Sequence, residues 1–296
     1  MKVLGLVASP RRLGNSEIIV KEMMNLLPAN WEKKMLQLND LKIERCKACY
    51  ACLPTDKRCI IQDDLNFFLD EIKAADKVII AAPVYYLGQH TSLKLINDRM
   101  ISVQTKSAEY FTGKQCVIAI PHTVPDWEGY AREATMHFAR FLGLNVTGTA
   151  VINAELPGDA VNETSLAVIK KLAQSLLDNS AVDLSDQDQA YCPDCGSSLL
   201  QIFHQGRWRC VMCAAAGHWT AGNGRFKLTI EPSAHRRYTL AGMEEHGTIL
   251  NEVKANFISR RAEVAAVQNR YRPMDLWIKP EHQLTVPEQC KENRND

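Results

Sequence analysis

The sequence predicts an α/β protein with a doubly wound parallel sheet, followed by a small metal-bound module and a mainly helical C-terminal segment. Three observations support this prediction. Short apolar runs alternate with amphipathic helical patterns up to about residue 178. Eight of the ten cysteines fall into two sets with two-residue spacings. The length of 296 residues suits one large domain or two smaller ones.

Five apolar runs predict the strands of the sheet. Residues 3–8 are apolar throughout, which is typical of a parallel strand that is buried on both faces. The other four runs are 35–38, 78–82, 116–120 and 146–152, of which 35–38 is the weakest. Because a helical pattern follows each strand, we expect crossover connections that place helices on both sides of a five-stranded parallel sheet.

Amphipathic patterns predict the helices between these strands. The first runs from Ser16 to about Leu27, with Asn15 as its cap. Asp63 is expected to cap the second helix and Asp126 to open the fourth, while residues 93–103 form the third. The apolar positions that define the others are Leu65, Phe68, Leu69 and Ile72, then Trp127, Ala131, Ala134, Phe138 and Phe141, and finally Leu166, Ile169, Leu172 and Leu176.

Charge and hydropathy argue against several classes of protein. The sequence has 35 Lys and Arg against 34 Asp and Glu, a net charge of +1, which does not favour a partner that is nucleic acid or a membrane surface. No apolar run approaches the ~20 residues of a membrane span. The first residues lack the apolar length and cleavage site of a signal peptide. We therefore expect a cytoplasmic protein.

The second cysteine set predicts a zinc ribbon at residues 190–225. Cys192 and Cys195 are separated by 14 residues from Cys210 and Cys213, and this pattern of two pairs is typical of tetrahedral zinc. Four cysteine ligands leave no open coordination position, so the expected role of Zn²⁺ is structural. We predict four parts: a domain at 1–178, a linker at 179–189, the ribbon, and a helical extension at 226–296. For the ribbon we favour partner binding or docking against the first domain over nucleic acid.

The first cysteine set favours a [4Fe–4S] cluster. Cys46, Cys49, Cys52 and Cys59 place three thiolates within seven residues, and the first three spacings match those of bacterial ferredoxins. Zinc usually takes two pairs from separate hairpins instead. Bare thiols in a structural loop and a different metal remain the alternatives.

The loop after the first strand has the composition of a phosphate site. A helix N-terminus offers unpaired N–H groups and a partial positive charge to a phosphate. Ser9, Asn15 and Ser16 add hydrogen-bonding side chains, and Arg11 or Arg12 adds a cation. The stretch contains neither the glycine fingerprint of dinucleotide sites nor a P-loop.

Residues 8–16 resemble the G-S-P-R-x-x-G-N-[ST] loop of the NADPH-dependent FMN reductases, a flavodoxin-like family. Residues 83–99, which read PVYYLGQHTSLKLINDR, resemble the second signature of that family. The first cysteine set, followed by Asp63 and Asp64, is similar to the branch called iron–sulfur flavoproteins. The resemblance covers about residues 1–178.

The resemblance implies an FMN site on this chain. Ser9, Arg11, Asn15 and Ser16 would hold the FMN phosphate. The flavin ring would lie along a loop formed by Pro83, Val84, Tyr85, Tyr86, Leu87 and Gly88. His122 and Thr123 would approach its pyrimidine end, where the family usually has a glycine-rich turn.

The leading functional hypothesis is an electron-transfer flavoprotein, an oxidoreductase that passes electrons between a [4Fe–4S] cluster or NAD(P)H and FMN. The family also implies a homodimer or homotetramer, with a small molecule or a protein as electron donor or acceptor. One alternative is an NAD(P)H-dependent FMN or quinone reductase without a cluster. Another is a redox-responsive binding protein that uses the ribbon to contact a partner.

Overall fold

A five-stranded parallel sheet forms the centre of the fold, as predicted. The computed structural model describes residues 1–53, 58–104, 113–182, 184, 189–222, 225–232, 237–274 and 276. The strands are β1 (Lys2–Val7), β2 (Glu32–Gln37), β3 (Lys77–Ala81), β6 (Gln115–His122) and β7 (Asn145–Asn153). A short hairpin of β4 (Val84–Tyr85) and β5 (Gly88–Gln89) follows β3. The order β2-β1-β3-β6-β7 is the doubly wound, flavodoxin-like order.

Helices cover both faces of the sheet. The helices are α1 (Asn15–Leu26), α2 (Leu65–Ala74), α3 (Thr91–Asn97), α4 (Ile101–Gln104), α5 (Ala131–Phe141) and α6 (Glu163–Asp178). Successive residues of β1 point to opposite faces: Val3 and Val7 pack with α1 and α6, whereas Leu4 and Leu6 pack with α2, α3 and α5. This alternation explains why the first strand is apolar throughout.

Two helix starts differ from the prediction. Gly14, not Asn15, is the N-cap residue of α1, because the Asn15 side chain bonds to another loop. Helix α2 begins at Leu65, and its N-cap residue is Asp64 rather than Asp63. The Asp63 carboxylate still accepts a hydrogen bond from the Leu65 N–H at 3.2 Å. The single helix predicted over 93–103 is divided into α3 and α4.

The prediction that Asp126 opens a helix is wrong. Helix α5 begins at Ala131, and Trp127, expected on its buried face, is 62% exposed. The physical reason is a tertiary contact with the β4–β5 hairpin: the Tyr130 N–H donates to the Leu87 carbonyl at 2.7 Å. Gly129, with a φ of +53°, passes so close to Leu87 that a side chain there would collide with it. The chain therefore starts its helix only after this contact.

The second cysteine set lies on two turns at a four-stranded antiparallel sheet, and we call the turns and the sheet together the ribbon. Its strands are β8 (Leu200–Phe203), β9 (Arg207–Cys210), β10 (Ala216–Gly222) and β11 (Arg225–Ile230), in the order β11-β10-β9-β8. The buried Trp208 packs with the four cysteines in a small core of its own. Because β10 pairs with β11, the sheet continues beyond residue 225, the predicted end of the ribbon. The other predicted domain boundaries stay predictions.

The C-terminal segment is helical as far as it is described. It contains α7 (Leu240–Ser259) and α8 (Arg261–Tyr271). By its internal contacts the chain divides into one unit over Met1–Ile249, which includes the ribbon, and a second over Leu250–Asp296. Within the described ranges, no helix combines the length and apolar character that crossing a bilayer requires.

Candidate functional site

A cavity of about 190 Å³ lies at the carboxyl ends of β1, β3, β6 and β7. This is the edge at which doubly wound sheets bind ligands. Nine of the twelve residues predicted to contact a flavin line it: Ser9, Arg11, Asn15, Ser16, Pro83, Val84, Tyr85, His122 and Thr123. The structure therefore brings together the first loop, the start of the β4–β5 hairpin and the loop after β6.

The other three predicted residues form the turn of the hairpin and do not line this cavity. Tyr86 is fully exposed and Leu87 is 44% exposed, and both have positive φ, at 46° and 65°. Gly88 is buried, and an added Cβ would lie 2.9 Å from the Tyr130 hydroxyl. The turn thus presents the Tyr86 ring outward, beyond the cavity.

Asn15 links two loops of the cavity. Its Nδ2 donates to the Ala154 carbonyl at 3.1 Å, and its Oδ1 accepts from the Gly158 N–H at 2.9 Å. The loop after β1 is also held from β2, because the Gln37 side chain donates to the Ser9 carbonyl. Asn15 therefore joins the two loops through both ends of its amide, and its predicted contact with a phosphate stays a prediction.

The charges around the cavity distinguish Arg11 from Arg12. Arg12 pairs with Asp40 at 2.5 Å, whereas no acidic group in the described ranges lies within ion-pair distance of Arg11. A hydrogen bond from Lys21 lowers the pKa of Glu17, and this carboxylate accepts from the Leu13 N–H at 2.6 Å. The turn before α1 is thus held by internal charges, and Arg11 is the cation available to a ligand.

Sequence reasoning missed part of the cavity wall. Ala154, Glu155 and Pro157 also line it, beside Gly14 and Pro121 of the two loops that the sequence did predict. Ala154, Glu155 and Pro157 follow β7, and the rule that ligands bind beyond the carboxyl ends of parallel strands would have pointed to them.

The first cysteine set lines a separate cavity of about 520 Å³. Cys46 and Cys49 are exposed, whereas Cys52 and Cys59 are partly buried. Residues 54–57, between Cys52 and Cys59, lie outside the described residues. Burial, and then the nearby Cys59 sulfur, raises the pKa of the Cys52 thiol. Such a rise is expected for a partly buried thiol that lies beside other cysteine sulfur atoms.

A buried ion pair lies next to this cavity, and its Arg99 is one of the lining residues. Arg99 and Asp63 form a salt bridge with side chains that are 1% and 0% exposed. The Arg99 Nη2 donates to the Cys59 Sγ at 3.2 Å. Sequence reasoning assigned no role to this pair, because the two residues are 36 positions apart and only the fold brings them together.

The second cysteine set converges on one point. The four Sγ atoms lie within 4.8 Å of one another, and Cys192–Cys213 and Cys195–Cys210 are both 3.6 Å apart. Tetrahedral coordination at a metal–sulfur distance of 2.3 Å requires sulfur atoms about 3.8 Å apart. All four residues are buried. The arrangement fits a single tetrahedral ion and is too tight for a cubane cluster.

Helix α5 fastens the ribbon to the parallel sheet domain. Arg132 donates to the Gly196 carbonyl at 2.9 Å, and Arg140 donates to the Cys195 carbonyl at 3.0 Å. The buried Glu133 carboxylate accepts from the Ser198 N–H at 3.1 Å and from its hydroxyl at 2.8 Å. The first metal-binding turn of the ribbon is therefore docked through charged groups, as the docking expectation proposed.

Comparison with known proteins identifies relatives of the sheet domain. Residues 1–159 match the model of a family described as NADPH-dependent FMN reductase. An iron-sulfur flavoprotein of Methanocaldococcus jannaschii is 36% identical over 100 residues, which cover 33% of this chain and 51% of that protein. An iron-sulfur flavoprotein of Methanosarcina thermophila is 32% identical over 108 residues, which cover 36% of this chain and 56% of that protein. The chain spans about half the length of these curated relatives.

The fold is similar to that of a solved structure described as a flavone reductase. It superposes with a TM-score of 0.72 at 21% identity, covering 95% of this chain and 100% of that one. At that identity the similarity shows the fold alone. Because the coverage runs far beyond residue 159, the fold shared with that structure includes more than the sheet domain.

Proposed function

The chain belongs to the NADPH-dependent FMN reductase family, and we propose from this premise that it is an FMN-dependent electron-transfer oxidoreductase with an iron–sulfur cluster and a structural zinc ion. The observation that carries the proposal is the placement of its two kinds of site. Nine of the twelve predicted flavin residues line one cavity at the carboxyl edge of the sheet. The segment that carries the first cysteine set leaves β2 at its carboxyl end, which lies at that same edge.

The cavity of about 190 Å³ fits the phosphate end of FMN, and the larger ring would extend over the hairpin. Arg11, Ser9, Ser16 and the N-terminus of the 12-residue helix α1 would hold the phosphate. Pro83, Val84 and Tyr85 would border the ring, with His122 and Thr123 at its pyrimidine end. Asn15 would act indirectly, by fixing the loops. When bound, FMN supplies two-electron and one-electron transfer, and the protein supplies position and electrostatics.

The first cysteine set suits a cluster better than a single ion. Its four sulfur atoms line a cavity of about 520 Å³, whereas the ribbon cysteines crowd around one point. A cubane cluster separates its thiolates more widely than a single tetrahedral ion does. Cys46, Cys49, Cys52 and Cys59 would be the cluster ligands.

The ribbon would hold Zn²⁺ in a structural role. Cys192, Cys195, Cys210 and Cys213 are buried and would complete the coordination of the ion. The ribbon docks on α5, which favours a structural role for it over the role of binding a partner in one redox state. We also propose that NAD(P)H is an electron donor, that the assembly is a homodimer or homotetramer, and that the protein is cytoplasmic.

A reductase without a cluster is the second candidate. The exposure of Cys46 and Cys49 favours it, because exposed thiols also suit a thiol-redox loop. The two candidates differ in metal content and in their reaction with pyridine nucleotides.

The test is the amount of iron, acid-labile sulfide and zinc per FMN in protein purified without oxygen. We expect about four iron, four sulfide and one zinc. Cys52→Ser should lose iron and keep zinc, whereas Cys192→Ser should lose zinc. Wild-type protein with FMN and zinc but no iron, together with fast NAD(P)H oxidation, would reject the cluster and favour the second candidate. Absence of FMN binding would reject both.

A further inference from the structure

We propose that Arg99 is a positioning residue for the cluster: it holds Cys59 and raises the reduction potential of the cluster through a hydrogen bond to the ligand sulfur. The inference rests on the proposed function, because it requires a cluster on Cys59. It assigns a role to a buried cation that the flavin and zinc sites do not use.

The two terminal nitrogens of the Arg99 guanidinium face different partners. Arg99 Nη2 lies 3.2 Å from the Cys59 Sγ. Arg99 Nη1 pairs with the Asp63 carboxylate and also donates to the Glu44 carbonyl at 3.3 Å. Because a guanidinium is planar and rigid, fixing Nη1 also fixes the direction in which Nη2 points.

Asp63 is itself held firmly. Its Oδ2 accepts from the Glu44 N–H at 2.7 Å, and its Oδ1 accepts from the Leu65 N–H at 3.2 Å. A buried charge is stable only with a partner, so Asp63 keeps the Arg99 guanidinium charged and in place beneath the cysteine loop. Lysine carries the same charge but cannot present two directed donors to both groups.

The hydrogen bond should act on the electron affinity of the cluster. Reduction adds negative charge, which spreads over the ligand sulfur atoms, and an N–H donor stabilises that charge. Among the described residues, Cys59 is the cysteine of this set with a side-chain donor on its sulfur; the Cys46 sulfur accepts from the Ala48 backbone N–H at 3.4 Å. Arg99 therefore stabilises the reduced cluster through its hydrogen bond to the Cys59 sulfur.

The experiment compares wild type with Arg99→Lys by redox titration, with the cluster followed by electron paramagnetic resonance. We expect the reduction equilibrium to shift about tenfold towards the oxidised cluster, which is 59 mV for one electron. Arg207→Lys is the matched control. It makes the same substitution in an exposed ion pair between β9 of the ribbon and Glu231, and should shift the equilibrium less than about twofold.

Two further measurements separate the outcomes. Iron and FMN are measured on every sample, because wild-type protein without iron would defeat the proposed function itself. A fully loaded Arg99→Lys protein with the potential of the wild type would overturn only the role of Arg99. If Arg99→Lys does not fold, the double variant Asp63→Asn with Arg99→Gln leaves no buried charge unpaired, and an unchanged potential in that protein would equally overturn the role.

Discussion

The two cysteine sets share a two-residue spacing but differ in burial and geometry. In the ribbon, all four cysteines are buried and their sulfur atoms lie within 4.8 Å of one another. In the first set, Cys46 and Cys49 are exposed, and the sulfur atoms line an open cavity. One set is part of a hydrophobic core with Trp208, whereas the other lies on a loop above a buried ion pair.

This difference shows what cysteine spacing does and does not determine. Two pairs on separate turns of antiparallel strands converge on a single point, because the strands bring the turns face to face. Three cysteines within seven residues of one loop surround a larger volume. Burial favours a metal that supports folding, and exposure at the edge of the sheet favours exchange of electrons with a partner.

The largest expected effect separates the two sets by stability. Cys210→Ser should destabilise the protein by more than about 4 kcal/mol, because the ribbon loses its metal and with it much of its fold. Cys49→Ser should change the unfolding free energy by less than about 1 kcal/mol, because the side chain is exposed. Denaturant unfolding with circular dichroism measures both. Equal destabilisation by the two substitutions would contradict the claim that only the ribbon cysteines support the fold.

An intermediate effect tests whether docking and metal binding of the ribbon are separable. Glu133→Gln removes the charge that Ser198 and Arg132 face, and should lower the unfolding free energy by about 1–3 kcal/mol while zinc is retained. Glu163→Gln, at an exposed position in the first turn of α6, is the control and should change it by less than about 0.5 kcal/mol. Loss of zinc from Glu133→Gln would show that docking of the ribbon and its metal binding are not separable.

A third effect is a dependence of stability on pH. Burial lowers the pKa of His137 to about 4, and its Nδ1 lies 2.8 Å from the hydroxyl of Tyr238, which packs against the ribbon core. The fold favours neutral His137, so this contribution is complete above the unfolded pKa of about 6.5 and is lost as pH falls towards 4. His137→Gln keeps a hydrogen-bonding group for Tyr238 without titrating in this range. The melting temperature of wild type should therefore fall more steeply between pH 6.5 and 4.5; parallel curves would contradict this.

The sheet and the phosphate loop could be predicted because local sequence determines them. The apolar runs matched the five strands, and the first loop placed Ser9, Arg11 and Ser16 at one cavity. The family match and the fold of the flavone reductase structure confirm the fold class. The roles of the individual flavin and metal ligands stay predictions.

Long-range contacts were beyond sequence reasoning. The start of α5 depends on a hydrogen bond from Tyr130 to Leu87, and neither residue signals it locally. The Asp63–Arg99 pair and the docking of Ser198 on Glu133 join positions 36 and 65 residues apart. A helical pattern does not distinguish charged residues that become buried from those that stay exposed, and only the fold shows which ones are buried.

The bridge made by Asn15 has a consequence for how the cofactor is kept. Ordering a flexible loop on binding costs about 1–2 kcal/mol per residue in conformational entropy. Because Asn15 already joins the loop after β1 to Ala154 and Gly158, this ordering is complete when the protein folds. A preorganised receptor gains affinity, chiefly through slow dissociation. If FMN binds here as proposed, this preorganisation would favour a flavin that stays bound through many turnovers over one that is exchanged as a substrate.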